Sequence, residues 1–258
     1  MTTTPQLAQF PSLKGKCVFI TGGGTGIGES LVTAFAEQGA KVAFVDIAKE
    51  ASEALCAKLA QAGLPAPVFR YCDIRDVAAL QATMRELAGE LGDFDVLVNN
   101  AASDDRHQLE DVTLDYWNDR IAINQRPMFF TCQAVVPGMK KKGGGSIINV
   151  GSISWHISNG GYPVYTTAKS SVSGLTRGLA RDLGPHHIRV NTVTPGWVMT
   201  ERQIRLWLDE EGEQEIKRNQ CLPDKLLPWH IARMVLFLAA DDSSMCTAQE
   251  FVVDGGWS

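Results

Sequence analysis

"TGGGTGIG", residues 21–28, ends the apolar run Cys17–Thr21 and opens a segment of helical period. Glycine tolerates positive φ and lets backbone approach a ligand closely, while a helix start offers unpaired N–H groups and positive partial charge. In a β-to-α position such a turn suits the pyrophosphate of a dinucleotide. Asp46 closes the next apolar run, KVAFVD from Lys41, eighteen residues after Gly28. A carboxylate there accepts hydrogen bonds from an adenosine ribose and repels a 2′-phosphate; capping the following helix is its alternative role. Asp73, at the end of VFRYCD, is placed either to receive an adenine amino group or to cap the helix from Asp76.

Outward from that turn, seven apolar, β-branched runs alternate with helical segments: residues 17–21, 41–46, 68–73, 95–101, 146–152, 189–196 and 251–256. Strands joined by crossovers predict a parallel sheet, and their near-continuous apolar character predicts helices on both faces. The fold class is α/β, a Rossmann-like doubly wound seven-stranded parallel sheet. The runs end in small or polar residues (Thr21-Gly22, Asp46, Asp73, Asn99-Asn100, Gly151-Ser152, Pro195-Gly196), and the topology gathers these ends at one edge, where the ligand crevice of such sheets lies. With no internal repeat or long linker, residues 1–258 read as a single dinucleotide-binding catalytic domain, its first dozen residues disordered.

At 258 residues and 45% hydrophobic content, the chain is long and apolar enough for a sizeable core. Its net charge is −5, with Lys and Arg dispersed apart from Lys140–Lys142, which argues against a nucleic-acid partner. The cysteines (17, 56, 72, 132, 221 and 246) are irregularly spaced with no C-x-x-C pair. They read as reduced thiols of a cytoplasmic protein, with no metal site. The longest apolar run, Met234–Ala240, is too short for a bilayer, and no basic segment followed by an apolar one opens the chain, so neither membrane insertion nor export is expected.

Residues 151–170, GSISWHISNGGYPVYTTAKS, hold Ser152, Tyr165 and Lys169 and no acid. Helical period from Pro163 to Leu183 places Tyr165 and Lys169 on one face. That offset alone says little, because Tyr71 with Arg75 and Tyr116 with Arg120 share it. Ser152 makes the difference: it ends a strand at the same edge as the glycine turn. A phenol with a pKa near 10 is a poor base at neutral pH. An ammonium at about 4 Å, in an effective dielectric near 20, favours the phenolate by about 4 kcal/mol, or about three pKa units. Tyr165 is thus expected to act as general base toward an alcohol, with Ser152 holding the substrate oxygen.

These residues resemble the short-chain dehydrogenases/reductases across essentially the whole chain. The turn matches at Gly22, Gly26 and Gly28, the fourth-strand motif at Asn99-Asn100-Ala101, and the catalytic set at Asn124, Ser152, Tyr165 and Lys169. The resemblance implies hydride transfer with a nicotinamide cofactor, a water-mediated proton relay from Asn124 to Lys169, and a nicotinamide-covering segment at Pro195–Thr200. The cofactor contacts implied are Gly22, Gly24, Thr25, Gly26, Ile27, Gly28, Asp46, Ile47, Asp73, Ile74, Asn100, Tyr165, Lys169, Pro195, Gly196, Val198 and Thr200, with Asp46 favouring NAD. Two departures stand out. Ala102 replaces a usual glycine, and Pro127 lies three residues after Asn124, where it is expected to kink a helix.

Within the family the chain looks most like bacterial aldose 1-dehydrogenases for pentoses such as L-arabinose or D-xylose, which share stretches like DDRH (residues 104–107) and GSISWH (residues 151–156). Closely spaced donors and acceptors beside indoles suit a polyhydroxylated ring. The expected substrate contacts are Ser152, Ser154, His156, Asn159 and Tyr165, with Asp104, Arg106, His107 and Gln203 beside Trp155 and Trp197 as further loop candidates. Glu201–Gln220 is expected to form a helical lid. The resemblance also implies a homotetramer, with Trp257 in an interface. The alternatives are reduction of an acyl-thioester ketone or another ketone, and a nucleotide sensor without turnover.

Overall fold

Strand β1 (Cys17–Thr21) has all five residues buried, as an uninterrupted apolar strand must when both faces of its sheet are covered. The computed structural model describes residues 8–258. In chain order the remaining strands are β2 (Lys41–Asp46), β3 (Val68–Tyr71), β4 (Val96–Asn99), β5 (Gly145–Val150), β6 (Ile188–Pro195) and β7 (Glu250–Val253). They form one parallel seven-stranded sheet in the order β3-β2-β1-β4-β5-β6-β7. The helices are α1 (Gly26–Glu37), α2 (Lys49–Gln61), α3 (Val77–Leu91), α4 (Leu114–Asn124), α5 (Arg126–Lys142), α6 (Pro163–Leu183), α7 (Glu201–Trp207), α8 (Glu210–Asn219) and α9 (Pro228–Ala239).

Alternation along β1 divides the core in two. Val18 and Ile20 pack with Leu31 and Phe35 of α1 and Ile231 and Val235 of α9. Cys17 and Phe19 belong to the opposite layer, with Leu80 and Met84 of α3 and Cys132, Val135 and Met139 of α5. A fully buried side chain such as Phe19 or Phe35 contributes about 1.5–3 kcal/mol, so the two layers hold helices to both faces.

The strand order reverses between β1 and β4, where Thr21 pairs with Asn99. No crossover covers the carboxyl ends at that point, and a cleft opens there. The expected seven strands are all present. Two local expectations are corrected. The Phe10 N–H donates to Gln38 Oε1 at 2.8 Å and Gln38 Nε2 donates to the Ala8 carbonyl at 2.9 Å. A buried amide thus pins residues 8–10 in place; residues 1–7 of the expected disordered start lie outside the described residues. Pro127 does not kink one helix but sits in the first turn of α5, after a break at Gln125 (φ −132°). There its missing N–H has no intrahelical partner to lose. Among the described residues no helix is long and apolar enough to cross a membrane.

Candidate active site

The glycine turn forms the head of the cleft. Gly22 (φ +68°) and Gly26 (φ +58°) occupy the left-handed region, and the Gly22 N–H donates to the Val45 carbonyl at 2.8 Å. A Cβ on Gly28 would lie 1.7 Å from the Gly22 carbonyl oxygen. Only glycine lets α1 start this close to β1. No side chain caps the α1 N-terminus, so its first-turn N–H groups stay available to an anion. This bare-backbone cradle fits the pyrophosphate of a nicotinamide dinucleotide.

Neighbouring side chains fasten the cradle. Asn100 Nδ2 donates to the Gly22 carbonyl at 2.8 Å and the Thr21 carbonyl at 3.2 Å. Asp46 accepts the Gly24 N–H through Oδ2 and the Ala48 N–H through Oδ1, each at 2.8 Å, and so ties the turn to the end of β2 while keeping its carboxylate in the cleft. Its capping role at α2 is not realised, since Ala48 takes the N-cap position. Asp73 is engaged by Arg75, whose Nε lies 2.9 Å from Oδ2 and 3.0 Å from Oδ1. These bonds hold its pKa below the usual carboxylate value. The cap of α3 is Asp76, which accepts the Ala79 N–H at 2.9 Å.

The cleft has a volume of about 1290 Å³. Every expected cofactor residue lines it: Gly22, Gly24, Thr25, Gly26, Ile27, Gly28, Asp46, Ile47, Asp73, Ile74, Asn100, Tyr165, Lys169, Pro195, Gly196, Val198 and Thr200. Ser152, after β5, meets Tyr165 and Lys169 of α6 there. Lys169 is 1% exposed, its Nζ donates to the Val150 carbonyl at 2.8 Å, and it lies 5.8 Å from the Tyr165 ring centroid. Burial lowers its pKa to about 8, against the opposing pull of Asp104. Burial likewise pushes the Tyr165 phenol up; a hydrogen bond from Ser152 opposes this and Asp104 reinforces it.

That result corrects the expected electrostatics. The segment around Tyr165 holds no acid, but the loop between β4 and α4 brings Asp104 to it from sixty-one residues earlier. In the protein alone, desolvation outweighs every group that favours the phenolate.

Asn124 is fully buried, with Nδ2 donating to the Ser103 carbonyl at 3.0 Å and Oδ1 accepting the Ser103 N–H at 2.8 Å. Its side chain holds the β4–α4 loop and does not line the cleft; Ile123 does. Ser154 and Asn159 reach the cleft, but His156 does not. Its Nε2 lies 3.0 Å from Glu250 Oε1 on β7, a partner distant in sequence. His107 is also taken up, by Tyr116 Oη at 2.9 Å and by the Val164 N–H at 3.2 Å. Trp155 stacks beside His156 outside the cleft, whereas Trp197 and Trp257 line it. The expected continuous lid is two helices, α7 and α8, broken where Asp209 caps α8 through the Gly212 N–H at 2.8 Å.

Sequence reasoning missed an ionic chain that runs along the cleft wall. Arg75 bridges Asp73 and Asp119, Arg120 bridges Asp119 and Asp105, and Arg202 of α7 bridges Asp105 and Asp104. Gln203 of α7 adds a bond to Asp104 Oδ2 at 2.7 Å. The chain joins the Asp73 end of the cleft to α7. Charge alternation would have hinted at it only with the fold in hand, since its members come from four separate segments: residues 73–75, 104–105, 119–120 and 202.

The family model described as enoyl-(acyl carrier protein) reductase matches residues 22–258. The D-xylose 1-dehydrogenase of Caulobacter vibrioides is 53% identical over 250 residues, covering 97% of this chain and 98% of that protein. A probable galactose dehydrogenase of Rhizobium meliloti is 49% identical over 249 residues, covering 96% and 97%. Among solved structures, a short-chain dehydrogenase/reductase from Serratia marcescens superposes with a TM-score of 0.88 at 35% identity, covering 96% of this chain and 99% of that one.

Proposed function

The chain belongs to the short-chain dehydrogenase/reductase family, and from that premise we propose that it oxidises the anomeric C1 hydroxyl of an aldose, a pentose such as L-arabinose or D-xylose, to the lactone with NAD as cofactor. The observation that carries the reading is the meeting of Ser152, Tyr165 and buried Lys169 in the cleft headed by the glycine cradle. The likeness to sugar dehydrogenases selects the class of alcohol.

Ser152 holds the C1 oxygen and Tyr165 takes its proton. Lys169, kept in place by the Val150 carbonyl, supplies a positive charge that favours the phenolate. When bound, the nicotinamide accepts the hydrogen of C1 with its electron pair. Asn124 positions the loop that carries Asp104. The latch from Asp104 and Asp105 to α7 holds that helix over the cleft, which excludes water. Asp46, at the end of β2, supports NAD over NADP by its negative charge.

Residues 8–258, organised on one sheet, are taken as a single catalytic domain. Exposed apolar side chains on α4 and α5 (Leu114, Trp117, Phe129) and Val252 on the edge strand β7 support association, for which a homotetramer is proposed. The unpaired cysteines suit a reducing, cytoplasmic setting.

The test is NADH formation by the purified protein with aldopentoses and aldohexoses, with NADP in parallel. Turnover is expected on a pentose with NAD, and Tyr165→Phe should abolish it while retaining cofactor binding. Silence on every aldose, or a fully active Tyr165→Phe variant, overturns the reading.

A further inference from the structure

We propose that Arg106 is a specificity-determining residue whose guanidinium bonds sugar oxygens away from C1, in a subsite shared with Ser154. The proposal rests on the aldose reading above. Arg106 lies in the β4–α4 loop, half-buried, and lines the cleft. Its guanidinium carbon is 3.8 Å from the Tyr162 ring centroid and 5.1 Å from that of Trp207. Packing against the two rings restrains the guanidinium, and with five N–H donors it keeps several for a ligand beyond any bond to the Tyr162 hydroxyl.

The neighbouring acids are committed elsewhere. Asp104 is held by Arg202 and Gln203, and Asp105 by Arg120 and Arg202. Among the described residues Arg106 forms no salt bridge, although a cation in a structured loop would ordinarily find one. Ser154 Oγ, whose residue lines the same cleft, and Trp207 Nε1, on the ring beside the guanidinium, are buried without a hydrogen bond. Leaving such groups unpaired is costly, and native proteins do so sparingly. An oxygen-rich ligand in the cleft supplies acceptors for Arg106 and a partner for Ser154 Oγ. The subsite stands next to the reacting position, since the Tyr162 ring that Arg106 packs on has its centroid 5.3 Å from that of Tyr165. A site built to bond a hydroxyl rejects the analogue lacking it far more strongly than an apolar pocket would.

The test uses the full chain as wild type, Arg106→Met and Arg106→Lys. Initial rates are measured at saturating NAD with the aldose turned over fastest and with derivatives of it deoxygenated at each hydroxyl other than that on C1. Arg106→Met is expected to raise KM for the parent sugar about tenfold to a hundredfold, with kcat changing less than about fivefold and KM for NAD unchanged. Arg106→Lys should recover part of the loss. For one deoxy sugar the KM values of wild type and Arg106→Met should coincide, which identifies the oxygen that Arg106 holds. A merely structural role would instead weaken every sugar equally. Unchanged KM for the parent sugar, or equal losses across the deoxy series, overturns the proposal. If Arg106→Met does not fold, the same comparison is read from Arg106→Lys, which keeps the cation and loses the fork. A wild type silent on all aldoses would show instead that the aldose reading has failed, and this proposal with it.

Discussion

Replacing Lys169 by methionine should impair catalysis and leave the fold at least as stable, because the ammonium is a burden to the fold that the reaction needs. Lys169 is 1% exposed and burial lowers its pKa to about 8, so it is still mostly protonated at pH 7. At the 5.8 Å that separates Nζ from the Tyr165 ring, a unit charge in an effective dielectric near 20 favours the phenolate by about 3 kcal/mol. Losing it should reduce kcat/KM about a hundredfold at neutral pH, and the variant's rate should go on rising with pH beyond the point where the wild type levels off. For stability the sign is opposite. Between about pH 8 and the ordinary lysine value near 10.5 the unfolded chain binds more protons than the folded one. The burial penalty is therefore complete below pH 8, at about 3 kcal/mol, and fades as pH rises toward 10.5. Methionine fills a similar volume without that penalty. It leaves the Val150 carbonyl without its donor, which returns about 1 kcal/mol of the gain. The assays are pH–rate profiles of sugar oxidation and urea unfolding at pH 7. Wild-type kcat/KM with an unmoved profile would refute the electrostatic role, and a variant less stable than the wild type would refute the burial argument.

Gly28→Ala places a methyl 1.7 Å from the Gly22 carbonyl oxygen; cofactor affinity by titration calorimetry should fall at least tenfold and the melting temperature should drop, and unaltered binding would refute the cradle. Asp46→Ser removes the charge expected to repel a 2′-phosphate while keeping an acceptor for the Gly24 N–H. The NAD-to-NADP ratio of kcat/KM should fall tenfold or more, and an unchanged ratio would place the discrimination elsewhere. Arg120→Met cuts the ionic chain between α4 and the lid. Arg120 and Arg75 hold Asp119 below its usual pKa, so this contribution to stability is present above about pH 4 and is lost as pH falls through the lower native value. Denaturation measured at pH 7 and pH 3 should show a smaller pH dependence in the variant than in the wild type.

The strands, the glycine turn and the α6 face bearing Tyr165 and Lys169 were legible because each is written in local order. Apolar continuity marks a strand covered on both sides, and a glycine cluster between strand and helix marks a turn that admits no side chains. Ser152 could be added because parallel topology sends all carboxyl ends to one edge. His156 illustrates the limit: nothing near it in sequence announces Glu250, whose carboxylate draws the imidazole away from the cleft. The bond from Arg75 to Asp73 was not legible for a related reason, since Arg75 could equally have pointed to solvent.

The sequence by itself determined the sheet, its cradle and the convergence of serine, tyrosine and lysine, since these follow from periodicity and from the one handedness open to strand–helix–strand crossovers. Only the tertiary structure decided the electrostatic state of the site. Asp104 beside Tyr165, the stack of Arg106 on Tyr162 and Trp207, and the grip of Arg202 on the β4–α4 loop each join segments far apart in the chain. The charge felt by a buried phenol depends on distances and desolvation in three dimensions, which order along the chain does not contain.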